Sequence, residues 1–380
     1  MNSIFPCNWP RMLLSFGLLA NVGVMGAQAA ESVAANVEPA KKPATAKATA
    51  GKSAAAKSPA AATVLVWRGD IAAARGLMND LAAQYQREKK TRIEVNPFST
   101  ISGIDAVAAG SADFAGGLRP AHAKRVEENG IVFVPVAWDA LVMIVSTANP
   151  VSDLSIKDLW RVYYGRADNW KSLGGNDAPI NMYAVAGPLD GVEYALRSLV
   201  FRNGDQRVAA PRLYLNTAKL EEGITLDPNA MGVSTLSSVA DNKKLKMLRI
   251  QGVEPSASTL ADGSYSLYTP VYLAYKDDSR NVARVKDFIG WIDSPAAKTT
   301  LRKHALVPYS DGTTLLAGDA ARLAMIETRV NETPVSAPAA TAAALTRIAP
   351  TSPTTRAAKE REAKERNKKT KAVQADGKDN

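Results

Sequence analysis

Apolar residues along the middle of the chain follow two spacings in turn, and this predicts strands that alternate with helices. "TVLVW" (63–67) is a short apolar run typical of a buried strand, and residues 71–89 carry apolar positions three and four apart, as one helix face does. Further strands are predicted at "TRIEVNPF", "ADFAGG", "LKMLRI" and "YSLYTPVYLAYK", with one or two in "IVFVPVAWDALVMIVS". Further helices are predicted at "GIDAVAAGS", "SIKDLWRVYYG" and "VEYALRSLVF", and one long helix over "VARVKDFIGWIDSPAAKTTLRKHAL". This alternation indicates an α/β fold with largely parallel sheets.

The first 29 residues have the pattern of an export signal. Arg11 precedes the apolar run "MLLSFGLLANVGVMG", and "AQA" supplies small residues for cleavage at Ala29. The run is short for a membrane span, and a retained membrane anchor is the alternative. Cys7, the single cysteine of the sequence, precedes the run. The mature protein is therefore expected in the periplasm of a Gram-negative cell, without disulfides or a thiolate nucleophile.

Two segments of low complexity flank the alternating body, which we place at residues 63–318. Residues 30–62 form an Ala/Lys/Pro linker, and residues 319–380 a basic tail that is partly helical. The net charge of +10 belongs mainly to these segments. The tail is either solvated or contacts an anionic envelope polymer, lipid head groups or a membrane machine.

Five motifs in the body resemble one known family. "STISGIDAVAAGSADFAGGLRP" (99–120) is similar to the loop, helix and strand of periplasmic phosphate-binding proteins, the solute receptors of the ABC phosphate transporter. Four more segments resemble that family in the same order: "PVAWDALVMIVSTANPVSDLSIKDLWRVYYGRADNWKSLGG", "PNAMGVSTLS", "QGVEPSASTLADGSYSLYTPVYLAY" and "VKDFIGWIDSPAAKTTLRKHALVP". The resemblance covers residues 63–310.

The resemblance implies a two-lobe periplasmic-binding-protein fold, the Venus-flytrap architecture, with two hinge crossovers. We place the crossovers near Val136–Trp138 and Ser266–Val271. Lobe 1 would then comprise residues 63–137 and 268–318, and lobe 2 residues 138–267. A small solute or anion would bind between the lobes, and an ABC transporter permease would be the partner.

The first two ligand segments of the family are changed or partly kept. Ser99, Thr100 and Ser102 offer hydroxyls before a helix, either to a ligand or as ordinary caps. In place of the family's Gly and Ser/Thr turn, the chain has Trp67 and Arg68. Arg68 could supply a cation and Trp67 an aromatic wall. Alternatively, Trp67 belongs to the core, Arg68 is solvated and Asp70 caps the helix at Ile71.

The third segment has Leu118 where the family carries a serine, followed by Arg119. In the branch of the family that has this arginine, it faces the cleft or pairs with the acidic residue of the crossing strand, here Asp139. We expect an Arg119–Asp139 ion pair.

The fourth segment departs most from the family, which has Arg, three residues, then Ser-Gly-Thr at a helix start. Val185 replaces the arginine, and Leu189, Asp190 and Gly191 follow at that spacing. Asp190 is expected to cap the helix in a capping box with Glu193. Its carboxylate would occupy the positive helix end and repel an anion by roughly 4 kcal/mol at 4 Å. The phosphate site is therefore predicted to be lost or changed.

Nothing in the motifs predicts catalysis. His122 and His304 are the only histidines and lie far apart in sequence, with His122 expected in a solvated loop. We therefore expect no enzyme activity, no cofactor, no metal and no nucleic-acid partner. One hypothesis is a periplasmic receptor with a changed ligand, such as a solute whose cationic group Asp139 or Asp190 holds. The other is an envelope scaffold with a vestigial cleft and functional tails.

Overall fold

The computed structural model describes residues 64–187 and 189–332. The predicted signal peptide with Cys7, the linker of residues 30–62 and the tail beyond Glu332 lie outside these residues. Helices alternate with strands along most of the described chain, as the apolar spacing predicted. The strands are β1 Val64–Asp70, β2 Arg92–Phe98, β3 Phe114–Gly117, β4 Ile131–Ser146, β5 Asp153–Leu154, β6 Asn181–Val185, β7 Arg212–Tyr214, β8 Ala230–Thr235, β9 Leu245–Met247, β10 Arg249–Ile250, β11 Tyr268–Lys276 and β12 Val307–Pro308.

The first helical segment changes from an α-helix to a π-helix and back. A π turn at Ala74–Met78 joins the first two helices, so that helical backbone runs through the predicted range 71–89. The α-helices are α1 Ile71–Ala73, α2 Asn79–Lys89, α3 Thr100–Ala108, α4 Ile156–Tyr163, α5 Gly191–Phe201, α6 Thr217–Thr225, α7 Leu236–Val239, α8 Ala257–Ala261, α9 Val282–Trp291, α10 Pro295–Lys303 and α11 Thr313–Asn331. Short 3-10 turns lie at Val126–Glu128, Trp170–Leu173 and Tyr309–Asp311. Among the helices that the structure describes, none is both long and apolar enough to cross a bilayer.

The expectation of one long helix over residues 282–306 is wrong. Helix α9 ends at Trp291 and α10 begins at Pro295. Ser294 accepts a hydrogen bond from the Ala297 amide and caps the second helix. Proline suits the first turn of a helix because it has no amide hydrogen to satisfy, so "DSPAA" marks a start rather than a continuation.

One long strand joins the two lobes. The first part of β4 pairs antiparallel with β11, and its second part pairs antiparallel with β8. The main sheet runs in the order β2-β1-β3-β11-β4-β8-β6-β7. Its outer pairs, β1 with β2 and β3 and β6 with β7 and β8, are parallel. The predicted parallel sheet is thus interrupted at its centre, where the chain returns along β11.

The crossing of β4 and β11 divides the fold into two lobes. The first lobe contains β1–β3, α1–α3, α9 and α10, and the second contains β6–β9 and α4–α7. Residues Val136–Val145 of β4 are buried almost without interruption. A strand covered on both faces requires such a continuous apolar run, because neither face meets water. The two-lobe α/β architecture with two crossovers is confirmed.

The folded body extends beyond residue 318, where the sequence analysis ended it. Helix α11 runs to Asn331 and packs against α4 and α5 of the second lobe. Ile326 is completely buried, and the Arg322 guanidinium lies 3.7 Å from the centre of the Tyr268 ring. Arg322 also donates to the carbonyls of Ser266, at 2.9 Å, and Tyr268, at 2.8 Å. The helix was assigned to the tail because its apolar residues are few and its alanines many.

Candidate functional site

Asp70 stands at the end of β1, where the chain turns into the first helix. Its Oδ1 accepts a hydrogen bond from the Ala73 amide at 2.6 Å, so it caps that helix as expected. Its Oδ2 accepts from the Thr100 hydroxyl at 3.0 Å. Asp70 is only 1% exposed. The side chain that was read as a cap alone is therefore also part of the cleft wall.

Thr100, the first residue of α3, connects the two lobes. Its amide donates to Asp190 Oδ1 of the second lobe at 3.2 Å. Its hydroxyl oxygen accepts from the Gly191 amide at 3.0 Å while its proton goes to Asp70. Two helix starts, those of α3 and α5, thus face each other through one threonine and one aspartate. The Asp190 carboxylate takes the place at the start of α3 that an anion would take.

The expected capping box of Asp190 and Glu193 is wrong. The Asp190 side chain makes no capping bond to its own helix, because it reaches across to Thr100. Glu193 accepts from the Val185 amide at 3.1 Å and pairs with Arg197 at 3.0 Å. Glu193 is completely buried, so the cation beside it compensates a charge that could not otherwise stay there.

The lobes touch at Gly191. A Cβ atom on this residue would lie 2.6 Å from the Leu118 amide nitrogen and 2.7 Å from Thr100 Oγ1. Only glycine fits at these separations, which are shorter than any ordinary carbon contact. A partly open crevice beside Thr100, Gly117 and Arg119 is too narrow for a water molecule. In this closed arrangement the protein's own groups fill the space between the helix starts.

Burial changes the acidity of the two aspartates. Loss of hydration raises the pKa of Asp70 to about 7, and the charge of Asp190 adds to the rise. Burial also raises the pKa of Asp190 to about 6, against the opposing effects of the Thr100 amide and the Arg119 charge. Both carboxyls therefore bind a proton more tightly than an exposed aspartate does.

The expected Arg119–Asp139 pair is also wrong. Arg119 is bonded instead to Glu128, through Nη1 at 3.0 Å and Nη2 at 2.5 Å, and donates from Nε to the Leu189 carbonyl at 3.0 Å. Asp139 accepts from the hydroxyl and, at 3.2 Å, the amide of Ser237. Burial raises its pKa to about 6. Arg119 pairs with Glu128 and not with Asp139 because the loop after β3 brings the Glu128 carboxylate to the two terminal nitrogens of the guanidinium.

The remaining predicted ligand residues do not line the contact between Thr100 and Asp190. Trp67 is completely buried and its ring packs against Gly69 and Gly116, so the core alternative describes it and the aromatic wall does not. Arg68 is exposed. Ser99 and Ser102 form a reciprocal capping box at the start of α3, which occupies both hydroxyls.

Two more contacts close the lobes at other points. Arg75 of the first lobe pairs with Glu221 of the second at 2.6 Å. The His122 ring contacts Asp205 at 3.2 Å and its side chain is only 10% exposed, so the expectation of a solvated loop was wrong.

The second histidine, His304, contacts Asp80 on the surface of the first lobe at 2.9 Å. Within residues 64–187 and 189–332, no three acidic or histidine side chains cluster as metal ligands.

The sequence analysis missed the partnership of Asp70 with Thr100 and Asp190. These residues are separated by 30 and 90 positions in sequence, and no local pattern joins them. The available signal was the presence of an aspartate, Asp70 or Asp190, in two of the four ligand segments that have lost their hydroxyl residues. Glu128 was missed as well, because an acid in a polar loop carries no sign of burial.

The comparisons with known proteins agree on the family. A model of the PBP superfamily domain matches residues 53–296. Protein SphX of Synechococcus elongatus is 26% identical over 247 residues, which cover 60% of this chain and 72% of that protein. The phosphate-binding protein PstS of Bacillus subtilis is 25% identical over 235 residues, covering 58% and 72%.

Solved structures show the same fold. An ABC-type phosphate transport receptor from Vibrio cholerae has a TM-score of 0.51 and 26% identity, covering 64% of this chain and 99% of its own. A substrate-binding protein assigned to a phosphate ABC transporter of Clostridium perfringens, solved with bound phosphate, has a TM-score of 0.59 and 24% identity, covering 65% and 99%. The names of these phosphate proteins describe binding or transport.

Proposed function

Since the chain belongs to the PBP superfamily, with phosphate-binding proteins among its relatives, we propose that it is a non-enzymatic periplasmic solute receptor by descent whose cleft binds phosphate weakly or not at all. Two of its own carboxylates occupy the helix starts that would hold the anion. If the cleft binds a solute, that solute differs from phosphate. The protein would then deliver it to an ABC transporter permease.

The observation that carries the proposal is the hydrogen bond from the Thr100 amide to Asp190 Oδ1, at 3.2 Å. A phosphate anion would need this amide, and it would also have to lie beside Asp70 and Asp190. Each of the two carboxyls, when ionised, would oppose the anion by roughly 4 kcal/mol at about 4 Å and an effective dielectric of 20. The nearest guanidinium, that of Arg119, is already bonded to Glu128 and Leu189.

Isothermal titration of the mature chain with orthophosphate at pH 7 tests the proposal. We expect no heat of binding at millimolar phosphate. Binding in the micromolar range would overturn the proposal, since it would require the carboxylates to move aside and a cation to replace the missing arginine.

A double substitution provides the complementary test. Asp70→Ser with Asp190→Ser removes both carboxylates and places hydroxyl donors at two helix starts, so phosphate affinity should rise by at least tenfold. Asp177→Ser with Asp262→Ser is the matched control, because it removes the same charge from two exposed positions. Equal gains in both double variants would show that net charge, and not the cleft, controls anion binding.

The two unpaired carboxylates also favour a second candidate, a solute with a cationic group. Such a cationic group would neutralise the two carboxylates in place of a bound proton, or in place of the amide and hydroxyl groups that now donate hydrogen bonds to them. Titration with small amines would show binding that Asp190→Asn weakens. The scaffold hypothesis makes the opposite prediction: the cleft takes no solute, and binding of the full mature chain to envelope fractions is lost when the chain ends at Glu332.

A further inference from the structure

The two lobes meet through carboxyls that face each other across the cleft, and within residues 64–187 and 189–332 neither forms an ion pair with a cation. We propose that Asp70, Thr100 and Asp190 form a proton-controlled latch, which holds the lobes closed when protonated and releases them when ionised. The inference rests on the proposed function, because it requires that carboxylates and not phosphate fill the cleft. It adds a regulation of the cleft that does not depend on which solute binds.

The geometry places one acid on each lobe. Asp70 ends β1 in the first lobe and Asp190 precedes α5 in the second, and both are at most 2% exposed. Thr100 contacts both, through its hydroxyl and its amide. When the lobes separate, both carboxyls return to water. Closure is therefore the step that removes their hydration, and ionisation opposes it.

The charges that act most strongly on Asp70 oppose its ionisation. Asp190 and Asp139 both raise its pKa, and both are acids. Its direct partners, the Ala73 amide and the Thr100 hydroxyl, are neutral. A buried carboxylate with neutral donors alone is costly, and proton uptake removes that cost.

Asp190 has a more balanced environment. Arg119 and Arg197 act on it from a distance and favour its ionised form, while Glu193 is a further acid nearby. Each arginine is already bonded to a glutamate, Arg119 to Glu128 and Arg197 to Glu193. The cations are thus shared, and the pair of aspartates together retains an excess of negative charge.

The direction of the pH effect follows from these contacts. The closed form binds protons more tightly than the open form, whose carboxyls have the ordinary pKa of 3.8. Closure therefore takes up protons between pH 3.8 and about 7, and a rise in pH through this range favours the open form. Below pH 3.8 both forms are protonated and the latch is insensitive to pH.

Energy transfer between two dyes tests the latch in the full mature chain. Cysteines introduced at the exposed positions Ala109→Cys and Arg207→Cys place one dye on each lobe, and no native cysteine interferes once residues 1–29 are removed. In phosphate-free buffer we expect efficient transfer at pH 5 and a marked fall by pH 8. Unchanged transfer over this range would overturn the proposal.

Two variants separate this latch from the His122–Asp205 contact between the lobes. Asp70→Asn with Asp190→Asn should keep the transfer at its acid value up to pH 8, since an amide mimics the protonated acid. His122→Gln removes the imidazole that faces Asp205 and should leave the pH response unchanged. A response that survives the first change, or disappears with the second, assigns the effect to His122 and overturns the latch.

Single Asp190→Asn is a second readout if the double variant fails to fold, and it should shift the midpoint of the response by at least half a pH unit. No shift would count against the latch. Because no phosphate is present, these outcomes are independent of the titration that tests the proposed function. A cleft that binds phosphate tightly would remove the proposed function, whereas a flat transfer curve would remove only the latch.

Discussion

The second lobe and its border with the first contain two kinds of buried carboxylate. Glu128 and Glu193 each have an arginine in direct contact, at 2.5 Å and 3.0 Å. Asp70 and Asp190 are buried to the same degree, but their direct partners are backbone amides and one threonine hydroxyl. Each glutamate has a cation in direct contact that compensates a carboxylate charge in the interior. The aspartates keep a charge only at the cost of lost hydration.

The difference separates a permanent contact from a conditional one. The arginine pairs fix the loop after β3 and the start of α5 at neutral pH. In the proposed latch, the aspartates join the lobes most strongly when they are protonated. The carboxyls of the cleft are thus balanced by protons and by backbone amides.

The largest expected effect comes from breaking a paired glutamate. Arg119→Met leaves Glu128 buried and ionised without its cation, and should lower the free energy of unfolding by about 3–5 kcal/mol. Urea denaturation at pH 7 measures it. Arg161→Met is the control, since the Arg161–Asp158 pair lies nearer the surface and should cost less than about 1 kcal/mol. Equal losses would show that burial does not separate the two classes.

An unpaired aspartate should behave in the opposite way. Asp70→Asn removes a carboxyl group, the pKa of which burial raises from 3.8 to about 7. Because ionisation of this carboxyl opposes the closed fold, wild-type stability should fall as pH rises through that range. At pH 8 the variant should be more stable than the wild type, by ~2–4 kcal/mol, and at pH 4 nearly equal to it. Denaturation at both pH values is the measurement, and a variant less stable at pH 8 would contradict it.

A wedge between the lobes should have a smaller effect. Gly191→Ala puts a methyl group 2.6 Å from the Leu118 amide nitrogen, so the contact must open, at a cost of about 1–3 kcal/mol. Gly290→Ala is the matched control in α9, where a Cβ would meet no atom within 4 Å. It should be neutral or slightly stabilising. Thermal unfolding of both variants distinguishes the outcomes, and a neutral Gly191→Ala would mean that the lobes are not pressed together.

The smallest effect is expected at an exposed pair with equally good geometry. Lys219 and Glu222 are 2.7 Å apart, yet their side chains are 62% and 59% exposed. Lys219→Ala should change stability by less than about 0.5 kcal/mol, because water screens such pairs. A loss near that of Arg119→Met would show that distance, and not burial, determines the strength of these contacts.

The sequence was informative where short-range patterns decide the structure. Apolar spacing predicted the strands around β4 and most helices, and the order of motifs predicted the two lobes. The sequence was less informative where the structure depends on which of two distant residues a side chain contacts. Arg119 could pair with Asp139 or Glu128, and Asp190 could cap its own helix or reach Thr100. Such choices depend on how the loops are placed in three dimensions, which spacing along the chain does not encode.

The fold boundary near residue 318 illustrates the same limit. Alanine-rich helix α11 resembles the low-complexity segment that follows it, and its apolar contacts with α4 and α5 involve only a few side chains. Arg322 attaches the helix to the folded body, because its guanidinium lies over the Tyr268 ring and donates hydrogen bonds to two carbonyls of the crossover. The composition of the helix does not indicate this attachment.

The position of β11 has a consequence for how the protein is made. It lies between β3 and β4, but β4 ends at Ser146 and β11 begins only at Tyr268. Among the described strands, the partners of β4 are β8, β9, β11 and β12, and all of them begin at Ala230 or later. During synthesis the apolar strand β4 therefore remains unpaired until most of the second lobe has been made. An open apolar edge is prone to association with other chains. We expect the nascent protein to depend on chaperones that protect β4 during this interval, and the finished protein to have no such need.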